Sequence, residues 1–330
     1  MRIHILRSPL LLILVLSTAF AEANAETREV RQAGRCNLAD YPWPKKSLEV
    51  TATAAMSYKV QLSTGIFANG EWAIFAPLSI SNETGKRLYV QYYVAFFDRA
   101  DRLVGCCQQG AEATPALKNL QLASCVIQGP KEQLLSATKY QVAVFESDRP
   151  IGEEPISVED ADALPGGSGG VTTLLTGAVL KQAAPEGPSV LHLSADCSFA
   201  EIRTESKDTH LEVKGARLRD FYLSTGKRER LVVSETGGKK TETILHQWLM
   251  NANLETKSKA QGADGNYWQG VGGIAHVALL DRQGRLVVCG PVVGLGSTHD
   301  LVAPKDRLLS ASTLRMVIYE SAATAAKQDK

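Results

Sequence analysis

One segment occurs twice in this chain, and that repetition limits the fold more than any other feature. Val94-Ala95-Phe96-Phe97-Asp98-Arg99-Ala100-Asp101-Arg102-Leu103-Val104 returns as Val277-Ala278-Leu279-Leu280-Asp281-Arg282-Gln283-Gly284-Arg285-Leu286-Val287, identical at seven of eleven positions. A second pair follows each copy, Pro130 to Ala137 against Pro304 to Ala311. Both then run into an alternating apolar segment ending Glu-Ser, at Glu146-Ser147 and Glu320-Ser321. The pattern is that of a tandem duplication, so each half should approximate the other's fold.

The local periodicity is that of strands. Leu88 to Phe97 places Val90, Tyr92, Val94 and Phe96 on one face and Tyr89, Tyr93 and Phe97 on the other, with high β propensity throughout. Asp98 to Asp101 turns the chain and Arg102 to Cys106 returns. In the second copy Gly284 suits the left-handed position of such a loop. Tyr58 to Leu62, Trp72 to Ile80 and Tyr140 to Val144 read as further strands, and Pro130 opens a short helical turn. Strand, turn and strand with no long amphipathic helix predict small antiparallel sandwiches.

The first residues read as a secretory signal peptide, residues 1–25. Arg2 and Arg7 precede an apolar run from Pro9 to Phe20, too short for a bilayer span of about twenty residues, and Ala23-Asn24-Ala25 forms a cleavage site. The expected location is periplasmic or secreted, with no membrane span. Losing Arg2, Arg7 and Glu22 takes the 36 basic and 35 acidic residues to 34 of each. That balance lacks the footprint of a nucleic-acid binder.

Six cysteines in an exported chain predict disulfides. The repeat aligns Cys106 with Cys289. Cys36 stands twelve residues before Leu48, and Cys197 stands fourteen before the similar Leu211, so these two also correspond. The expected bridges are therefore Cys36–Cys106 and Cys197–Cys289. Cys107 and Cys125 lack counterparts and remain as a third pair.

The domain plan is residues 26–147 for the first β-sandwich, 148–189 for a Gly/Pro-rich linker, 190–322 for the second sandwich and 323–330 for a tail. Glu26 to Lys46, polar and broken by Pro42 and Pro44, reads as an irregular lead-in, and the stretch from Cys107 to Gly129 as a polar excursion. Module two should carry strands at Leu211–Val213, Phe221–Leu223, Leu231–Ser234 and Ile244–Met250. Its longer loop, Asn251 to Tyr267, is a candidate for a contact surface.

Residues 78–105 combine a strand, an Asn-x-Thr-Gly turn, an aromatic-rich strand, Phe-x-Asp and Leu-Val-Gly; 277–290 repeat the second half. This pattern resembles the bacterial FxLYD-type module and related immunoglobulin-like sandwich domains of exported proteins. The segment here is Val94-Ala95-Phe96-Phe97-Asp98, and Leu279-Leu280 replace both aromatics in the second copy. The resemblance implies an all-β chain of two tandem immunoglobulin-like sandwiches. It implies no catalytic residue.

Candidate chemistry is sparse. Gly166-Gly167-Ser168-Gly169-Gly170 matches a nucleophile elbow but sits after Pro165 in a linker, without the strand and helix the elbow needs. His192, His210, His246, His276 and His299 show no ligand spacing, so neither a metal nor a cofactor is expected. His276 falls at the place of Tyr93, one polar-tipped ring for another. Asn82-Glu83-Thr84 is a glycosylation sequon but reads as a turn. The candidate binding surface is aromatic: Trp72, Tyr89 and Tyr93 in module one, Tyr267 and Trp268 in module two. The expectation is a non-enzymatic protein that binds another protein or helps assemble the envelope. The alternatives are a glycan-binding module on those aromatics, or an enzyme or metal carrier with His246 and His276 between the modules.

Overall fold

The computed structural model describes residues 27–155, apart from 69, 123 and 124, and then 175–176, 181–182, 190–196, 198–199, 210–212, 218–236, 239–256, 273–292 and 299–320. For the described residues within 175–182 and 198–256 it gives only the course of the backbone. The chain is all-β, in antiparallel sheets. The expected signal peptide, the Gly-Ser-Gly run, residues 257–267 of the expected contact loop and the expected tail lie outside the described residues, and Asn251–Thr256, expected to begin that loop, end a strand instead.

The first half contains β1 (Arg28–Arg35), β2 (Leu48–Thr53), β3 (Ser57–Ile66), β4 (Trp72–Phe75), β5 (Leu78–Asn82), β6 (Leu88–Phe97), β7 (Leu103–Ala113), β8 (Leu117–Leu122), β9 (Val126–Gln128), helix α1 (Lys131–Leu135) and β10 (Lys139–Ser147). One sheet runs β1-β10-β6-β7; the other runs β8-β5-β3-β4-β9, with β2 also on β3. The sheets share a core because their inward faces alternate. Val90, Tyr92, Val94 and Phe96 of β6 meet Val60, Leu62, Ile74, Leu78 and Ile80 of the opposing sheet. Two expectations need correction. The lead-in is an edge strand, because β10 offers its polar backbone a full ladder from Arg28↔Glu146 to Arg35↔Lys139. The excursion after Cys107 continues β7 to Ala113 and then supplies β8 and β9, as pairing outweighs its polar composition.

The second half contributes β11 (Glu153–Pro155), β12 (Leu175–Thr176), β13 (Lys181–Gln182), β14 (Val190–Asp196), β15 (Ser198–Phe199), β16 (His210–Glu212), β17 (Leu218–Thr236), β18 (Lys239–Thr256), β19 (Gly273–Asp281), β20 (Leu286–Val292), β21 (His299–Val302), helix α2 (Lys305–Leu309) and β22 (Ala311–Glu320). The sheet β13-β14-β22-β19-β20 repeats the strand order of β1-β10-β6-β7 and adds β13 at the edge. A second sheet, β11-β18-β17-β16, takes β21 onto β18. The strands expected at Phe221–Leu223 and Leu231–Ser234 are one, since β18 pairs with β17 along its whole length and carries the ladder through Gly226. The expected linker also begins inside the fold: Ile151 is buried and β11 pairs with β18.

The repeated segments fold alike in detail. Asp98 Oδ1 accepts from the amides of Ala100 and Arg102 at 2.8 and 2.9 Å, and its Oδ2 takes Arg102 Nε at 2.7 Å. Asp281 holds Gln283, Arg285 and Arg285 Nε at 2.9, 2.9 and 2.7 Å. Asp101 and Gly284 both take positive φ, 57° and 72°. Pro130 and Pro304 each cap a five-residue helix from the position before its first residue. Asn82, the sequon asparagine, is buried and donates to the carbonyls of Lys86, Ala113 and Thr114, which is a structural role.

The two halves meet through the faces that carry Tyr93, Ala95 and Phe97. These join Ala143 and Phe145 in one apolar cluster with Ala278, Leu280, Val317 and Tyr319. Strands β6 and β10 are thus covered on both sides, which explains their near-continuous apolar sequence. The contact has a polar rim. Gln141 Nε2 donates to Gly284 O at 2.9 Å while its Oε1 accepts from Leu286 N at 2.7 Å. Arg307 pairs with Glu29, and Arg31 donates to Leu286 O.

Candidate binding surface

The aromatic side chains separate by sheet face. Tyr93, read from the sequence as a candidate surface residue, is fully buried between the halves and donates from Oη to Val302 O at 2.6 Å. It is therefore a contact residue of the interior. Burial removes its phenolate option, raising its pKa. His276 occupies the matching place on β19, with Nδ1 2.9 Å from Cys106 O. A carbonyl only accepts, so Nδ1 carries the proton. The rings pair edge-on in both halves, Tyr93 with Phe145 at 6.2 Å and His276 with Tyr319 at 6.3 Å. Tyr89 is half-buried. Trp72 is half-buried under Lys131, whose Nζ stands 4.5 Å from the ring centroid. Tyr267, Trp268 and Cys197 lie outside the described residues.

The exposed large apolar side chains lie elsewhere. Trp43, Ile66 and Phe67 are 52, 58 and 37% exposed. Trp43 stacks on Phe75 with centroids 5.0 Å apart, and Phe67 tilts against the same ring at 6.2 Å. Trp43, Phe67 and Phe75 thus form an apolar ledge at the end of the β3–β4 hairpin, whereas Ile66 pairs with Trp72 on the other face. Its geometry is set by backbone. Trp43 N donates to Thr64 O at 2.7 Å, and Thr64 N to Tyr41 O at 2.9 Å, so the proline-flanked segment runs beside β3. Gly65 lies beneath: a Cβ there would stand 3.4 Å from Trp43 Cβ and 3.5 Å from Phe75 Cε2. The hairpin closes through Phe67 N to Glu71 O at 2.7 Å, with Gly70 at φ +85°. Sequence reading missed Trp43 and Phe67. The available signal was an aromatic between two prolines, where the chain cannot carry it into a regular strand interior.

A second concavity has different chemistry. A groove of about 470 Å³ on the outer face of the β2-β3-β5-β8 sheet is lined by Thr51, Thr53, Ser57, Lys59, Ser79 and Gln121 among others. Thr51, Lys59, Ser79 and Gln121 are register partners across four strands, which puts their side chains in one row.

The cysteines also depart from expectation. Cys107 and Cys125 form a disulfide, the pair left over from the repeat alignment. Cys36, Cys106 and Cys289 are free thiols, which corrects the expected Cys36–Cys106 bridge; the expected Cys197–Cys289 bridge involves Cys197, outside the described residues. The reason is alternation. Cys107 points into the core of module one together with Cys36, whereas Cys106 points out of it, toward the other half. Burial pushes the Cys36 thiol up to about 12. Burial also opposes ionisation at Cys106, but hydrogen bonds with Cys289 and His276 outweigh it and pull that thiol to about 7. Its partner Cys289, equally buried, is pushed up.

Among the described residues no three His, Cys, Asp or Glu gather as metal ligands, and no helix is long and apolar enough to cross a membrane. Compared with known proteins, the chain matches no family model, no curated protein and no solved structure.

Proposed function

We propose that this is an exported, non-enzymatic binding protein of two tandem immunoglobulin-like sandwiches, and that module one engages an apolar segment of a partner protein in the cell envelope. The observation that carries the reading is the ledge of Trp43, Phe67 and Phe75. A fold gains nothing internally by leaving a contiguous apolar surface in water, and such patches mark interaction sites. Its composition favours protein over sugar. Its two phenylalanines offer dispersion and burial but no polar atoms for hydroxyl groups, whereas burying one such side chain contributes about 1.5–3 kcal/mol against an apolar partner. The test places a photo-crosslinking residue at position 68, beside Phe67, and irradiates intact cells. A discrete protein adduct that disappears in Phe67→Ser supports the reading. Absence of an adduct, or one indifferent to Phe67→Ser and Trp43→Ala, refutes it.

The polar groove supports a second reading, a glycan-binding module. Its row of Thr51, Lys59, Ser79 and Gln121 supplies the hydroxyl, amide and ammonium groups that sugars require. Retention on an envelope polysaccharide, lost in Ser79→Leu and kept in Phe67→Ser, would favour it over the first.

A further inference from the structure

The contact between the halves has an approximate two-fold axis, and two equivalent cysteines flank it. Cys106 Sγ stands 3.1 Å from Val277 O and 3.4 Å from Gly290 O. Cys289 Sγ stands 3.3 Å from Val94 O and 3.6 Å from Cys107 O. The sequence repeat maps Cys106 on Cys289, Val94 on Val277 and Cys107 on Gly290. Each thiol therefore makes the other's contacts with the halves exchanged. Neither thiol has measurable exposure.

We propose that Cys106 and Cys289 are a disulfide-forming pair, and that oxidation locks the two halves of the chain together across this axis. Two observations support it. Cα atoms of β7 and β20 come within 8 Å of each other, whereas facing sheets ordinarily stand about 10 Å apart. A disulfide has a two-fold axis of its own, so one bond satisfies both halves of a two-fold contact without distorting either.

The chemistry balances with a low-molecular-weight or protein disulfide as oxidant. One thiolate attacks the oxidant, forming a mixed disulfide and releasing one thiol. The second cysteine's thiolate then attacks the mixed disulfide and releases the other. The two cysteines lose two protons and two electrons, and the oxidant becomes two thiols. Because both sulfurs are buried, the exchange takes place before the halves close, as the chain folds. The proposal stands apart from the ledge and its partner.

The test refolds the reduced, unfolded full chain in a glutathione redox buffer, traps free thiols by alkylation and maps tryptic peptides without reduction. Residues 103–118 hold both Cys106 and Cys107, 119–131 hold Cys125, and 286–305 hold Cys289. The expected result is one cluster of all three peptides for most of the protein. In Cys289→Ser the cluster should shrink to the first two, with Cys106 alkylated. Peptide 286–305 recovered alkylated from refolded wild type, or joined to Cys36 or Cys197, would overturn the proposal. A second readout is resistance to urea, which should fall on reduction in Cys107→Ala/Cys125→Ala, a variant that keeps only the proposed bond. No change on reduction counts against it.

Discussion

Replacing the Cys107–Cys125 bridge by alanines tests the architecture of module one and its coupling to module two. The two cysteines are 18 residues apart. Chain-entropy arithmetic for a loop of that length gives about 3 kcal/mol of stabilisation, arising from the smaller unfolded ensemble. The thermal consequence depends on what unfolds together. With about 2 cal/mol/K of unfolding entropy per residue, a module of about 120 residues melting alone would lose about 12 °C. If the shared cluster around Tyr93, Phe145 and Tyr319 makes both halves one cooperative unit, the same 3 kcal/mol lowers the midpoint by only about 5 °C. Calorimetry of the Cys107→Ala/Cys125→Ala protein, with urea unfolding followed by circular dichroism, measures both quantities. The continuous core predicts a single transition and the smaller shift. A stability change under about 1 kcal/mol with an unaltered urea slope would refute the entropic assignment. Two separated transitions would refute the cooperative contact.

Two further outcomes follow from individual residues. Asp281→Ala leaves two turn amides and Arg285 without their acceptor, and should cost about 2 kcal/mol at pH 7. Burial opposes the Asp281 carboxylate, but the Arg285 and Gln283 bonds outweigh it and depress its pKa. Its contribution is therefore present above the unfolded value near 4 and fades as pH falls through the folded one, so wild type and variant should converge in acid; parallel curves would contradict this. Gly105→Ala would bring a methyl within 2.4 Å of Ile127 Cγ2 across the module-one core, and should cost about 1–3 kcal/mol by urea titration. A neutral result would mean that β9 yields more easily than its buried Ile127 implies.

Much of the secondary structure was legible because periodicity is a local property. The faces of β6, the turn at Asp98 and its copy, the two proline-started helices and the leftover Cys107–Cys125 pair all follow from side chains close in sequence or from the repeat. The polar strands β1, β8 and β9 were not legible, since their reason for being strands lies in the partner that pairs with them. Trp43 and Phe67 escaped for a related cause: backbone bonds between Thr64 and the distant Tyr41 and Trp43 bring the proline-flanked segment beside Phe75.

The cysteines show most plainly where the two kinds of information divide. Repetition of the chain identified which cysteines correspond, and alternation along β7 meant that Cys106 and Cys107 must point to opposite sides of the sheet. Neither could say what would stand on the outer side. A duplicated module with an apolar outer face has the option of covering it with its own copy, and the tertiary structure takes that option: Tyr93 and Cys106 become interior residues, and equivalent cysteines face each other instead of their neighbours. Correspondence in sequence is a relation between like positions. Contact is a relation in space, and here only the docking of one sheet face on the other made the two coincide.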